Sequence, residues 1–203
     1  LYDNTTIIYA SDHGESLGNR GLWGKMTMYE DSASIPLIIK GPNFSRGEIC
    51  QTPVTLIDLY PTIFDILSLH SIQNDTEIDG KSLRLIANEA YDKDRSIISE
   101  YHGAGSYGGA FMLRMGDYKY IYYVGHQSEV FDIKNDPDEK QNLAGDPSFR
   151  SLVDGLDKAL RSVIDPEKVD KAARSDQRKM LEDVGGIDFV LNRGNYAGTP
   201  VGS

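Results

Sequence analysis

The sequence predicts an α/β fold with two regions, residues 1–92 and 93–203. Three observations carry this. Two continuous apolar runs flank a long polar loop, a segment with helical period follows them, and near residue 92 the pattern changes to short β-rich runs divided by glycine turns. The first run, Thr5, Thr6, Ile7, Ile8, Tyr9 and Ala10, does not alternate, which is the pattern of a parallel strand covered on both faces and in need of neighbours. The run from Ile35 to Lys40, stopped by Gly41-Pro42, is the next strand. Between residues 52 and 69, Leu56, Leu59, Ile63, Ile66 and Leu67 recur at helical spacing, with Pro61 in the first turn, and a second short helix is expected over 82–90.

Beyond residue 92, the runs 96–101, 110–115, 118–124 and 129–133 predict an antiparallel meander, with Gly116-Asp117 as a tight hairpin. Asp146-Pro147 is a helix-start pair. Phe149, Leu152, Val153, Leu156, Leu160 and Val163 then share one face, so a helix over 148–163 is expected to cover the meander. Asp165-Pro166 repeats the start signal for a more polar helix ended by Gly185-Gly186, and the glycine-rich tail from Asn192 has no core-forming period. The opening Leu1-Tyr2-Asp3-Asn4 carries no initiator Met or signal peptide and predicts a fragment.

The chain of 203 residues has 39% hydrophobic residues, enough for a buried core. Its formal charge of -10, from 21 basic and 31 acidic residues, argues against a nucleic-acid or anionic-membrane partner, which would need a basic face. No apolar run approaches the ~20 residues of a membrane span. One cysteine, Cys50, excludes an intrachain disulfide and is expected to be a small buried packing residue. Nothing in the sequence sets the compartment, and the cytoplasm is the default expectation.

The chemistry concentrates between Ser11 and Glu30. Asp12-His13-Gly14 closes the first strand, where open α/β sheets place their ligand crevice. A carboxylate beside an imidazole, with Gly14 permitting a turn, is half of a divalent-cation site, since calcium takes about six oxygen ligands and zinc at least three protein groups. The same residues also read as an Asx-turn with a surface histidine.

The blocks Ser11-Asp12-His13-Gly14-Glu15-Ser16-Leu17-Gly18, Gly21-Leu22-Trp23-Gly24-Lys25, Tyr29-Glu30 and Ile35-Pro36-Leu37-Ile38 resemble the sulfatase family of the alkaline-phosphatase superfamily. The likeness continues through Asp58-Leu59-Tyr60-Pro61-Thr62, Asp79-Gly80-Lys81-Ser82-Leu83, Tyr118-Lys119-Tyr120 and the segment from Phe131 through Asp136-Pro137-Asp138-Glu139 to Asn142-Leu143-Ala144. With Glu100-Tyr101-His102 downstream, the Asp-His-Gly form is most similar to the branch of choline-sulfatase-like enzymes and phosphonate monoester hydrolases; many arylsulfatases carry Asn in place of His13.

The resemblance implies the C-terminal part of an alkaline-phosphatase-like sheet followed by an antiparallel subdomain with a packed helix. It implies Asp12 and His13 as ligands of a divalent metal, calcium first and manganese as the alternative, and Lys25 as the catalytic group that binds the sulfate oxygens. The expected partner is a small-molecule sulfate ester, and a homo-oligomer is expected. Sulfatases use a formylglycine made from Cys or Ser in a Cys/Ser-x-Pro/Ala-x-Arg motif near the enzyme's start, which this sequence lacks; Ile49-Cys50-Gln51-Thr52-Pro53 has no Arg. The formylglycine is therefore expected in an N-terminal region outside this chain. The alternatives are a phosphonate or phosphate ester hydrolase of the same superfamily, or a non-catalytic binding or assembly module.

The remaining residues divide between roles. His102 is expected to bind substrate, with the loop 103–109 beside it, or to be a surface histidine. Tyr118, Tyr120 and Tyr122 are expected on one strand face with Tyr123 on the other, in preference to an aromatic cage. Asp136, Asp138 and Glu139 lack the spacing of a calcium loop and read as a turn. His70 and His126 have no assignable role.

Overall fold

The computed structural model describes residues 1–69, 79–103 and 106–192. His70, two residues of the 103–109 loop and the tail beyond Asn192 lie outside the described residues. From the N-terminus the chain forms β1 (Ile7–Ala10), a short hairpin of β2 (Ser16–Leu17) and β3 (Trp23–Gly24), the single-turn helix α1 (Glu30–Ala33) and β4 (Leu37–Lys40). β1 and β4 pair antiparallel, with Ala10 opposite Leu37 and Ile7 opposite Lys40. This corrects the expectation of a parallel strand. A parallel partner would need a crossover to the far end of the sheet, whereas here the chain leaves β1 and re-enters β4 at the same end. A continuous apolar run reports burial on two faces but not strand direction. Ile7, Tyr9 and Ile38 stand exposed in the described chain.

α2 (Leu59–Ile66) and α3 (Leu83–Asn88) follow, and the two motif blocks that start them grip each other. The fully buried Asp58 accepts from the backbone N–H groups of Thr55 (2.9 Å) and Lys81 (2.8 Å) and from Arg95 Nη2 (2.6 Å). Thr62 Oγ1 accepts from Leu83 N at 2.8 Å, and Asp65 takes Ser82 Oγ and the Arg84 guanidinium. A buried carboxylate must be matched by donors, which explains why these short blocks mix Asp, Thr and Ser with apolar residues. Cys50 is exposed, contrary to expectation; it lies on a loop and makes a long contact with the Ile86 carbonyl, 3.9 Å away.

The four-stranded sheet of β5 (Ser96–Tyr101), β6 (Ala110–Met115), β7 (Tyr118–Tyr123) and β8 (Glu129–Asp132) is the expected antiparallel meander, in chain order. Gly116 takes φ 54° in the two-residue β6–β7 turn, which its lack of Cβ permits. Strand alternation sends Phe111, Leu113, Tyr120 and Val130 to one face. There they meet Leu156 and Leu160 of α4 (Arg150–Val163), with Tyr118 and Tyr122 packed alongside. Asp146 caps the turn leading into α4 and Asp165 caps α5 (Pro166–Asp183), as their Asp-Pro pairs predict. The hydroxyls of Tyr120, Tyr122 and Tyr123 reach Asp157, Glu167 and Glu129, an arrangement of strand faces rather than a cage. α5 stops before Gly185, but α6 (Gly186–Asn192) begins at once, a helix that the double-glycine stop does not predict.

The opposite face of the sheet is the less expected one. Ala110, Met112, Ile121 and Phe131 pack on Met28, with Tyr29, Ala33 and Tyr123 around them, so the segment between β3 and β4 lies on the sheet's back. Among the described residues no helix is long and apolar enough to cross a membrane.

Candidate active site at the end of the first strand

The β1–β4 register puts the whole excursion from Ser11 to Pro36 at one end of that sheet. Gly14 lets it fold tightly. A Cβ there would lie 2.1 Å from the Asp31 carbonyl oxygen, and Gly14 N donates to Ser32 O at 2.8 Å. Glycine is therefore required for close approach to α1, a reason beyond the turn that the sequence predicts. Ser16 Oγ, Ser32 Oγ and Thr27 Oγ1 form a chain of contacts at 3.1 and 2.9 Å that ties β2 to α1.

Within this frame three candidate side chains meet. The imidazole Nδ1 of His13 lies 2.7 Å from the Gly14 carbonyl oxygen, which accepts only, so Nδ1 carries the proton and Nε2 keeps its lone pair. Lys25 Nζ donates to that Nε2 at 2.5 Å, and Asp12 Oδ2 stands 3.3 Å from it. The Asp12 backbone N–H holds the Asp12 carboxyl below its usual range; desolvation opposes it, and the neighbouring His13 and Lys25 add smaller lowering effects. An ammonium, an imidazole whose unprotonated Nε2 accepts from it, and an ionised carboxylate thus share one strand end. Such a donor set suits a divalent cation, because a metal-binding imidazole is normally fixed by a hydrogen bond from its other nitrogen to an acceptor such as a carbonyl. Asp12 and His13 are two side chains of that kind, and among the described residues no cluster of three or more His, Cys, Asp or Glu forms a metal site.

His102 stands apart from this group. Its ring lies edge-on to Phe111, 5.3 Å away, on the α4 face of the sheet, and its Nε2 is 3.6 Å from Glu100 Oε2. The small cavity beside it, about 50 Å³, is lined by Gly109, Asp170, Arg174 and Gln177, with none of Asp12, His13 or Lys25 on its wall.

Residues outside the sequence-predicted site support it from behind. Lys119, fully buried on β7, pairs with Glu139 Oε1 at 2.8 Å and with Glu30, and donates to the Met28 carbonyl at 3.0 Å. Burial pushes the Glu139 carboxyl up, an effect that Lys119 opposes. The Arg20 guanidinium stacks 4.2 Å over the Tyr29 ring, whose hydroxyl donates to Glu129 at 3.0 Å. Glu139 is thus not the plain turn residue that its acidic surroundings suggest. The available signal was that Glu30, Lys119 and Glu139 each fall within a separate motif block.

Burial and the Glu129 carboxylate push the Tyr29 phenol up to about 12, and burial raises Tyr123 as well, again with Glu129 adding to it. Both phenols hold their protons more tightly in the folded than in the unfolded chain. The Tyr29 contribution to stability is therefore whole below pH 10, the ordinary tyrosine value, and is lost as pH rises through about 12, while that of Tyr123 persists to higher pH. Urea midpoints measured across this range should fall steeply in the native protein and less steeply in Tyr29→Phe. Equal slopes would contradict the assignment.

The candidate site thus lies at the end of the β1–β4 pair, in a chain whose four-stranded antiparallel sheet carries a helix on one face. The family model described as N-sulphoglucosamine sulphohydrolase, C-terminal, matches residues 18–166, and the chain belongs to this sulfatase family. Arylsulfatase K of Canis lupus familiaris is 37% identical over 180 residues, covering 83% of this chain and 33% of that protein. Choline-sulfatase of Rhizobium meliloti (strain 1021) is 38% identical over 149 residues, covering 72% of this chain and 28% of that one. The solved structure of the phosphonate monoester hydrolase SpPMH from Silicibacter pomeroyi superposes with a TM-score of 0.63 at 30% identity, covering 79% of this chain and 35% of the other. The chain spans about a third of the length of the curated relatives it matches. Sulfatases in general use a divalent metal and a formylglycine.

Proposed function

We propose that the complete protein hydrolyses a small-molecule sulfate ester and that this chain supplies two metal ligands and one anion-binding group. The observation that carries the reading is the His13 tautomer: with Nδ1 bound to the Gly14 carbonyl, Nε2 is left as a donor atom between Asp12 and Lys25. Asp12 and His13 would hold the divalent metal, calcium first and manganese as the alternative. Bound there, the metal supplies Lewis-acid stabilisation of charge on the sulfuryl oxygens. Lys25 orients the sulfate through its ammonium donors and stabilises the negative charge that builds on those oxygens. In an acidic chain this local positive charge is what makes an anionic substrate acceptable. Gly14 holds His13 in the productive tautomer. The nucleophile, a formylglycine, belongs to the N-terminal region of the enzyme. The division into a catalytic segment, 1–92, and a C-terminal subdomain, 93–203, belongs to the same reading.

The second reading, a phosphonate or phosphate ester hydrolase, has a specific observation in its favour: the likeness to a phosphonate monoester hydrolase at 30% identity. Both substrates present a tetrahedral anion to the same groups, so turnover decides between them. The complete protein, stripped of metal and then supplied with calcium or manganese, is expected to hydrolyse an aryl sulfate faster than a phenylphosphonate monoester. The opposite order selects the second reading, and turnover of neither sinks both. The 203 residues alone are expected to show no turnover above a blank preparation, because two ligands and a lysine do not make a nucleophilic site.

A further inference from the structure

Lys25 lies in the stretch between Arg20 and Glu30, mostly loop with one short strand, β3, which has little secondary structure of its own to hold it. Both ends of that stretch are held by one residue far along the chain. Arg20 Nη2 donates to the Glu139 carbonyl oxygen at 2.7 Å, and to the Asp138 carbonyl as well. The backbone N–H of Glu30 donates to Glu139 Oε2 at 2.7 Å. The other carboxylate oxygen of Glu139 faces Lys119 Nζ at 2.8 Å, and that ammonium also takes the Met28 carbonyl and the Glu30 carboxylate. Glu139 is 2% exposed and Lys119 0%. The cluster of Arg20, Lys119, Glu30 and Glu139 is balanced in charge, as a buried ionic group must be.

Glu139 also has φ 50°, in the left-handed region that a residue with a Cβ adopts only when its surroundings hold it there. Its unusual backbone turns the carbonyl toward Arg20 while the side chain turns inward to Lys119 and Glu30. One residue therefore joins the sheet, the tip of the β2–β3 hairpin and the start of α1.

We propose that Glu139, anchored by Lys119, is a positioning residue that clamps the two ends of the Arg20–Glu30 segment and so holds Lys25 at the end of β1, beside Asp12 and His13. The proposal rests on the reading of Lys25 as the anion-binding group. Glu139 does not touch the substrate; it acts through the segment it holds. Misplacement of a catalytic group by about 1 Å costs on the order of a hundredfold in rate, which is the scale of effect such a clamp controls.

The test compares Arg20→Ala, Arg20→Lys, Glu139→Gln and Lys25→Ala in the complete enzyme, by steady-state kinetics on an aryl sulfate and by amide hydrogen exchange. Arg20→Ala opens one end of the clamp at the protein surface, so it reports even if Glu139→Gln fails to fold. Arg20→Ala and Glu139→Gln are expected to lower kcat roughly ten- to a hundredfold with KM changed less. Exchange should rise at least about tenfold over residues 20–28 and stay unchanged over 110–123, the covered strands. Arg20→Lys keeps a donor within reach and should recover part of the loss, and Lys25→Ala should lower kcat without altering exchange. A rate within about twofold of normal despite faster exchange at 20–28 would overturn the clamp, and so would a loss of protection spread equally over 110–123. If Lys25→Ala is itself active, the anion-binding reading fails instead. The clamp is then judged on exchange alone, and unchanged exchange at 20–28 in Arg20→Ala overturns it.

Discussion

Lys119→Ala is expected to destabilise the fold by about 3–5 kcal/mol, a large share of the roughly 5–15 kcal/mol that typically separates folded from unfolded domains. Lys119 is fully buried and its ammonium meets three acceptors: Glu30, Glu139 and the Met28 carbonyl. Removing it leaves the Glu139 carboxylate buried opposite Glu30, with no cation of comparable proximity and an empty volume behind it. The cost comes from the stranded charges rather than from the pair's own attraction. Accordingly Lys119→Met combined with Glu139→Gln and Glu30→Gln should be much less destabilised than Lys119→Ala alone, because charge and demand for charge are removed together. Urea denaturation of the single and triple variants, followed by far-UV circular dichroism, decides the matter. Equal midpoints for Lys119→Ala and the native protein would show that water reaches the cluster.

The largest effect on activity is expected at Lys25. In the complete enzyme Lys25→Ala should lower kcat by about two to three orders of magnitude, by analogy with the loss of one oxyanion donor. Added metal should not restore it, because Asp12 and His13 remain. His13→Ala and Asp12→Ala should also lose activity but regain some of it as metal concentration rises, since a weakened site fills by mass action. Kinetics of the three variants across a calcium or manganese titration, alongside metal content, separate the roles. Rescue of Lys25→Ala by metal in parallel with His13→Ala would return Lys25 to an ordinary loop lysine. The 2.5 Å contact between Lys25 Nζ and His13 Nε2 makes the distinction worth testing, because a metal and this ammonium would compete for one lone pair.

The local half of the fold is legible in the residues themselves. The four strands of the meander fall within a residue of their expected limits, and both Asp-Pro pairs start helices through a carboxylate that accepts from a backbone N–H. Tyr118, Tyr120 and Tyr122 do share a face, with Tyr123 on the other. These features follow from periodicities of two and 3.6 residues and from caps, all properties of neighbours in sequence. Asp12-His13-Gly14 at the close of the first strand is visible for the same reason. The exposed Cys50 and the restart of helix after Gly185 are not, because each depends on what the rest of the chain covers.

What the sequence determined by itself is therefore the longer elements and their order, the family resemblance and the group of candidate ligands at one strand end, but not the β2–β3 hairpin, α1 or α6. Tertiary structure decided how these meet. The antiparallel return of β4 brings the excursion back to the end it left, the β2–β3 hairpin carries Lys25 to the unprotonated Nε2 of His13, and the sheet presents Lys119 to Glu30 and Glu139. Charged residues carry no periodic signal of burial: Glu139 reads as a turn residue, and Glu30 and Lys119 are visible only as members of separate motif blocks. Their pairing depends on dehydration by Met28, Ile121 and Phe131, residues distant in sequence that come together only when the segment folds onto the back of the sheet.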